Sequence, residues 1–226
     1  MKLKWYGHAS FRITADNGTS IITDPYNPET AGYTAFTEPA DVVIMSSDND
    51  SFHCNTHLVP GQHVTINALE LARAGQPRVE HGISFSAIEA MEALNHREHH
   101  PDQNGMYRFT VDGVSIGHLG DVGNPLSDAH INFFKGVDVL LALAGGHPTM
   151  ELDDLKTAID HIQPKLVVPM HFRTLTYRPR NSFWVEKFLA YFDDTAVDFA
   201  FASEVTISPA TLPARTRVLV VDYVRV

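Results

Sequence analysis

Histidine is the residue type in this sequence that most clearly invites a chemical role. The 226-residue chain holds 13 histidines, nearly as many as its 17 lysines and arginines together. Imidazole titrates near neutral pH and is the commonest metal ligand in proteins. The surplus is therefore compatible with a metal site or with acid–base chemistry, and the positions of the histidines must decide between them.

Two polar stretches concentrate side chains of the ligand type. Residues 47–53 read SDNDSFH and follow an apolar run; their potential ligands are Asp48, Asp50 and His53. Residues 95–100 read NHREHH and come shortly after Glu92. Carboxylates and imidazoles at this density can bind a divalent ion. For residues 95–100 we favour the simpler interpretation, a solvated polar loop.

Two more ligand-type residues come directly after predicted strands. Asp121 follows Gly120 at the end of an apolar run, and His171 follows the buried run VVPM. Both side chains are therefore expected at an edge of a sheet, where they are accessible to an ion or a substrate.

Glycines and arginines supply candidate substrate contacts. Gly146 and His147 lie in a turn before a predicted helix, where exposed backbone N–H groups can bind an anion or an oxyanion. A tight turn would need glycine in any case, so both interpretations stay open. Arg173 begins the most basic stretch of the chain and suits a phosphate or carboxylate group.

Hydrophobic patterning predicts the elements that must position these residues. The predicted strands are residues 2–6, 10–15, 20–23, 41–45, 83–91, 106–111, 114–119, 137–143, 165–170 and 217–224, with a further strand near 205. Asp-Asn-Gly at 16–18 and Asp-Gly at 112–113 predict hairpins. The predicted helices are 127–135, 149–163 and 182–192, with Ser127, Thr149 and Ser182 suited to cap them. No linker divides the chain, so we expect one domain over residues 1–226.

Composition excludes several classes of function. The net charge of −10 argues against a dedicated nucleic-acid or anionic-membrane binder. The single cysteine excludes an intramolecular disulfide and a cysteine-based zinc site. The start lacks the pattern of a signal peptide and no apolar stretch is long enough to span a bilayer. We expect a cytoplasmic protein with a small-molecule substrate. The sequence is also compatible with a homo-oligomer.

Six segments together resemble the metallo-β-lactamase superfamily, and most closely its sugar-phosphate-lactonase-like branch of small stand-alone hydrolases. They are WYGHASF at 5–11, IITDPY at 21–26, DVVIMSS at 41–47, VDGVSIGHLGDVGNPL at 111–126, VDVLLALAGGHPT at 137–149 and PKLVVPMHFRT at 164–174. The resemblance implies an α/β fold, a four-layer αββα sandwich of two mixed sheets with helices outside. It also implies a metal site at one edge, between the sheets.

The resemblance further implies roles for individual residues. Asp121 stands at the position of the ligand that bridges two metals, and His171 at that of the last metal-binding histidine. His118 and His8 stand near the site, where either could carry protons, and Asp24 stands where a supporting group is expected.

The sequence departs from the family at its defining motif, His-x-His-x-Asp-His. The four ligand positions hold Ser47, Asn49, Ser51 and Phe52, which are poor ligands or cannot coordinate a metal at all. Glu92 is the best candidate for the position of the third histidine. The usual dinuclear zinc site cannot form from these residues.

Three hypotheses follow from this departure. In the first, Asp48, Asp50, His53, Glu92, Asp121 and His171 rebuild a site for one divalent ion rather than two. Carboxylate-rich ligation would favour a harder ion such as manganese, iron or magnesium over zinc. Such a site would hydrolyse a small anionic lactone, ester, amide or phosphoester, oriented by Arg173. In the second hypothesis, the protein has lost catalysis and its scaffold binds a small molecule or a partner. In the third, the same carboxylates and histidines carry out acid–base hydrolysis without a metal.

Overall fold

Two mixed β-sheets form the body of the protein in the computed structural model, which describes residues 1–48, 51–92 and 103–225. The first sheet has the order β13-β1-β2-β3-β4-β5. Its strands are β1 Lys2–Gly7, β2 Ser10–Thr14, β3 Ser20–Thr23, β4 Val42–Met45, β5 Val64–Asn67 and β13 Glu204–Thr206. Strand β1 pairs antiparallel with β13 and β2, and β3, β4 and β5 are mutually parallel.

The second sheet has the order β12-β14-β11-β10-β9-β8-β7-β6. Its strands are β6 Arg78–Glu80, β7 Ile83–Met91, β8 Gln103–Val111, β9 Val114–His118, β10 Val139–Leu143, β11 Leu166–Met170, β12 Val197–Phe199 and β14 Arg217–Val220. Strands β6 to β9 form an antiparallel meander, and β9, β10, β11, β14 and β12 run parallel.

Five short helices in the described ranges complete the α/β, four-layer αββα sandwich. They are α1 Pro28–Ala31, α2 Ala68–Ala74, α3 Asp128–Phe134, α4 Leu152–Ile162 and α5 Val185–Leu189. Leu152, Leu155, Ile159 and Ile162 form the buried face of α4, as their spacing predicts. Among the described residues, no helix has the length and apolar character needed to cross a membrane.

The predicted strands are confirmed, except that the last one ends at Val220 and not at 224. Two predicted helices begin later than expected. Thr149 does not cap α4, because its hydroxyl and its amide both bond to Gly146 O in a separate turn. Glu151 is the residue before the helix instead. Ser182 likewise precedes α5 by three residues, and that helix has only five residues.

Strand direction brings the carboxyl ends of both sheets to one edge. Strands β1, β3 and β4 point the same way in the first sheet, and β9, β10 and β11 do so in the second. The segments that leave these six strands carry the candidate ligands. Ligand sites in sheets of parallel strands are typically found at carboxyl ends.

Gly105 of β8 links the two sheets directly. Its amide donates a 2.7 Å hydrogen bond to Ser46 O, beyond the end of β4. A Cβ atom at this position would lie 2.4 Å from the backbone of Ala68 and Leu69. Only glycine allows this close approach.

Replacing Gly105 by alanine is expected to destabilise the protein by about 3 kcal/mol, because backbone atoms cannot move aside as a flexible side chain would. Gly75→Ala is the matched control: it has open space and a left-handed backbone with φ of 64°, so it should cost only about 1 kcal/mol. Urea unfolding of both variants measures the difference, and equal losses would contradict the packing argument.

Candidate metal centre

Three buried histidines from distant parts of the chain meet at this edge. His8 lies in the turn between β1 and β2, His53 follows β4, and His171 directly follows β11. One potential ligand atom from each lies within 4.8 Å of the other two. None of the three is more than 5% exposed.

Asp121 completes the cluster with a carboxylate. Its Oδ1 lies 3.1 Å from His171 Nε2, and its Oδ2 lies 3.4 Å from His53 Nε2. Burial alone would raise the pKa of Asp121. The adjacent imidazoles of His53 and His171 outweigh burial and hold that pKa well below its ordinary value, so the group is ionised at neutral pH.

One imidazole nitrogen of His8 is available to bind a metal. Its Nδ1 is buried and has no hydrogen-bond partner among the described residues. The ring centroids of His171 and His53 lie 3.9 and 4.9 Å away. Burial, followed by the charges of His171 and His53, lowers the pKa of His8 well below its usual value. A neutral imidazole with an unused lone pair is what a metal ligand requires.

Asp24 orients His53 from the first sheet. Its Oδ2 lies 2.9 Å from His53 Nδ1, which leaves Nε2 of the same ring facing Asp121. Asp24 also accepts hydrogen bonds from Ser46 N, Ser46 Oγ and Tyr107 OH, at 2.8, 2.6 and 3.2 Å. A carboxylate behind a histidine is a common arrangement in metal sites, where it fixes the tautomer and the orientation of the ring.

Asn104 holds the turn that carries Asp121. Its Oδ1 accepts from Asp121 N at 2.9 Å, and its Nδ2 donates to Leu119 O at 3.0 Å. Asn104 is fully buried and adjoins Gly105, so β8 positions both the Asp121 turn and the segment after Ser46. The sequence offers no signal for this role, because Asn104 lies in a polar stretch before the predicted strand at 106–111, where an asparagine ordinarily indicates a turn.

Three residues of the site adopt the left-handed backbone conformation, which favours glycine. His8, Asp24 and His171 have φ of 52°, 37° and 56°. The conformation costs about 1 to 2 kcal/mol for a residue with a side chain. In other proteins such strain clusters at functional sites.

A cavity of about 230 Å³ opens beside the cluster. Its lining comprises His8, Phe52, His53, Glu92, Asp121, Pro148, His171, Tyr177, Pro179, Asn181 and Ser182. Phe52 stacks on His8, with ring centroids 5.2 Å apart. No lysine or arginine occurs among the described residues that line this cavity.

The structure places several predicted contacts elsewhere. Asp48 is exposed and accepts a hydrogen bond from Asn67 Nδ2, beside a different cavity. Arg173 lies over the ring of Trp184, at 5.0 Å, and lines a separate groove. His147 is exposed, and its neighbour Pro148 contributes to the lining instead. Gly146 packs against Phe183.

His118 lies outside the cavity, with both ring nitrogens in use. Gly120 N donates to its Nδ1, so Nε2 carries the proton and bonds to Ala9 O at 2.9 Å. Its ring stacks on Tyr107, with centroids 4.7 Å apart. Glu92, which the sequence suggests as a metal ligand, lines the cavity. Asp50 and the histidine-rich stretch at 95–100 lie outside the described residues.

Comparisons with known proteins agree on the family. A profile described as the beta-lactamase superfamily domain matches residues 2–171. A UPF0173 metal-dependent hydrolase of Thermoplasma acidophilum is 26% identical over 197 residues, which cover 77% of this chain and 84% of that protein. A protein of the same description from Nitratidesulfovibrio vulgaris strain Hildenborough is 25% identical over 201 residues, covering 80% and 84%.

Solved structures agree on the fold. A Thermotoga maritima protein assigned to the zinc-dependent hydrolases of the metallo-β-lactamase superfamily superimposes with a TM-score of 0.77, 26% identity and 99% coverage of both chains. A Parabacteroides distasonis structure assigned as a metal-dependent hydrolase has a TM-score of 0.62 at 16% identity, covering 95% and 91% of the two chains. This chain belongs to the beta-lactamase superfamily.

Proposed function

We propose that this protein is a metal-dependent hydrolase of a small molecule, with one divalent ion held by His8, His53, His171 and Asp121. The observation that carries the proposal is the convergence of three buried imidazoles and an ionised carboxylate beside a cavity. The description of relatives as metal-dependent hydrolases supports the class of reaction.

The donor set fits a divalent ion. The histidine ligand atoms lie within 4.8 Å of one another. Two donors that each lie about 2.1 Å from a shared ion are at most about 4.2 Å apart, so small shifts of the side chains would bring all three to one ion. The unpartnered Nδ1 of His8 gives the ion a ligand that no other interaction uses.

The type of donor bears on the identity of the ion. Sequence patterns predicted a carboxylate-rich set that includes Asp48, whereas this set has three imidazoles and one carboxylate. Imidazole nitrogen suits zinc and ferrous iron better than it suits manganese. We therefore expect zinc or iron.

When bound, a divalent ion supplies Lewis-acid chemistry and makes a water molecule nucleophilic at neutral pH. The residues of the chain prepare the site for that chemistry. Asp24 holds the ring of His53, while Asn104 holds the backbone of Asp121. Asp121 contributes the negative charge that offsets an ion. Phe52 stacks on His8, and Tyr177 packs beside the rings of His8 and His171.

The strained backbone supports a retained function. His8 and His171 occupy left-handed conformations that glycine would adopt at lower cost. A histidine does not stabilise the left-handed backbone at such a position. Its presence is best explained by a function of the imidazole side chain.

Metal analysis of protein purified without a histidine tag tests the proposal. After incubation with zinc or with ferrous iron under anaerobic conditions, we expect close to one ion per chain. Asp121→Ala and His171→Ala should each lower the affinity more than tenfold, because each removes a ligand. The removal of groups that merely support ligands already costs about 10- to 100-fold.

Asp48→Ala is the matched control for this experiment. Asp48 belongs to the same polar stretch as His53 but is exposed and bonded to Asn67, so its removal should leave the metal content unchanged. Wild-type protein that binds no metal would contradict the proposal and favour a retired scaffold. If the metal-free protein hydrolysed a substrate and Glu92→Ala abolished that activity, acid–base chemistry would be indicated instead.

Stability measurements test the strain at His8. In the metal-free protein His8→Gly should be more stable than His8→Ala by about 1 kcal/mol, because glycine tolerates the left-handed conformation. Thr157 is exposed within α4 and serves as the control position. There alanine should be more stable than glycine by about 1 kcal/mol, the usual order in a helix. Chemical denaturation of the four variants measures both differences in the free energy of unfolding. If His8→Ala were more stable than His8→Gly, the backbone at position 8 would not be strained.

A further inference from the structure

Exposed apolar side chains gather around a groove that is separate from the cavity of the proposed metal site. Six large hydrophobic residues are well exposed in the described ranges. Three of them, Leu175, Trp184 and Phe199, line this one groove. A fourth, Phe201, stacks on Phe199 with ring centroids 6.0 Å apart. We call these four residues the apolar patch. A contiguous apolar patch on a surface typically marks a contact with another protein.

The backbone of Phe201 supports a contact outside the chain. Its φ of 51° lies in the left-handed region, which is uncommon for a bulky side chain and favours glycine or asparagine. The side chain is 85% exposed, so it gains little from burial within its own chain. A phenylalanine at such a position is best explained by a partner that covers its ring.

The groove also holds charges of both signs that are not paired within the chain. Its charged lining residues are two arginines and two acids: Arg173, Arg225, Glu186 and Asp222. None of the four forms an ion pair with another described residue.

Arg173 illustrates what these charges lack. Its guanidinium lies 5.0 Å from the ring centroid of Trp184. Its Nε is buried and has no hydrogen-bond partner among the described residues. By contrast, Arg217 on β14 is paired with Asp198. A buried donor of a charged group is costly unless an acceptor meets it, so Arg173 requires an acceptor that its own chain does not supply.

The composition of the groove fits the centre of a protein–protein interface. Its aromatic lining residues are Trp5, Phe172, Trp184, Phe199 and Tyr223, and no lysine occurs among the described residues that line it. Aromatic residues and arginine are enriched at the centres of interfaces, whereas lysine is depleted.

The charges favour a second copy of this chain as the partner. In a two-fold dimer the same patch of both copies meets, so it must be complementary to itself. A patch of one sign would repel its copy, whereas two arginines and two acids can pair across the axis. The chain as a whole carries a net charge of −10, which opposes the association of two copies. The groove charges sum to zero, so this face escapes that repulsion.

We propose that two copies of this chain form a two-fold dimer through this face. The apolar patch lies at the centre of the interface, and the arginines of each groove face the acids of the other. The proposal goes beyond the metal-dependent function and does not depend on it, because the groove and the cavity share no described lining residue.

Sedimentation velocity of the full chain tests the dimer. The wild type should sediment with twice the mass of one chain, in a fraction that rises with concentration. Leu175→Ser and Phe201→Ser should each raise the dissociation constant by about tenfold or more, because a few central residues carry most of the energy of an interface. Val79→Ser is the matched control. Val79 is 63% exposed on β6, at the opposite edge of the second sheet, so the dissociation constant should not change.

A charge exchange tests whether the partner is a second copy. The acidic variant carries Arg173→Glu and Arg225→Glu, and the basic variant carries Glu186→Arg and Asp222→Arg. Each variant alone should be monomeric, because like charges then face each other. An equimolar mixture should form a dimer that contains one chain of each. Far-UV circular dichroism checks that both variants fold, which is expected because none of the four side chains has an ion pair among the described residues to lose.

Three results would overturn the proposal. They are a wild type that stays monomeric at all concentrations, a dimer that neither Leu175→Ser nor Phe201→Ser weakens, and acidic and basic variants that fold but do not associate when mixed. A monomer whose Trp184 fluorescence changed on addition of benzoate would also overturn it, because the groove would then bind a small carboxylate. Trp184→Phe identifies the source of that signal, since Trp5 is the other tryptophan.

Discussion

The buried carboxylate of Asp24 is the interaction on which the rest of the site depends. Burial alone would raise the pKa of Asp24, but His118, His53 and Ser46 outweigh it and hold that pKa below its ordinary value. An ionised carboxylate without solvent costs several kcal/mol unless its partners are in place. Because the partners include Tyr107 of β8, satisfying this one charge also fixes how the two sheets meet.

Each candidate ligand is linked to that carboxylate through at most three contacts. His53 bonds to it directly. His118, 4.0 Å away, bonds to Ala9 O and so holds the turn of His8. His171 N donates to His8 O at 3.0 Å. The arrangement explains how four side chains from separate segments are held ready for an ion, since a shift in any one of them would disturb the bonds of the next.

How much of this arrangement the sequence reveals depends on the kind of element that carries each residue. Asp121 and His171 could be predicted because each follows an apolar strand, and a strand fixes where its next residue emerges. Asp48 and His53 lie in one irregular stretch without periodicity, so the sequence could not show that His53 faces inward whereas Asp48 faces Asn67.

Ser182 illustrates the same limit, since serine before a helix is ordinarily a cap. The contacts that instead place its hydroxyl in the cavity come from glycines nearly 40 residues away in the chain, at 145 and 146. The short edge strands β5, β6 and β12 were likewise not predicted, because three or four residues carry too little pattern. Only pairing with their neighbours defines them.

The departure from the family's ligand motif has a physical consequence at Phe52. The resemblance of the sequence to the family places Phe52 at the position of a histidine ligand. In the structure its ring stacks on His8 and meets the edge of Tyr177, with the centroids of Phe52 and Tyr177 6.5 Å apart. A phenyl ring has no donor atom for a divalent ion, so this position adds no ligand to the proposed site. The topology directs six strand ends to one edge whatever residues follow them. Replacement of the ligands in one loop therefore still leaves His8, Asp121 and His171 gathered there, and His53, one residue beyond Phe52, supplies the fourth donor.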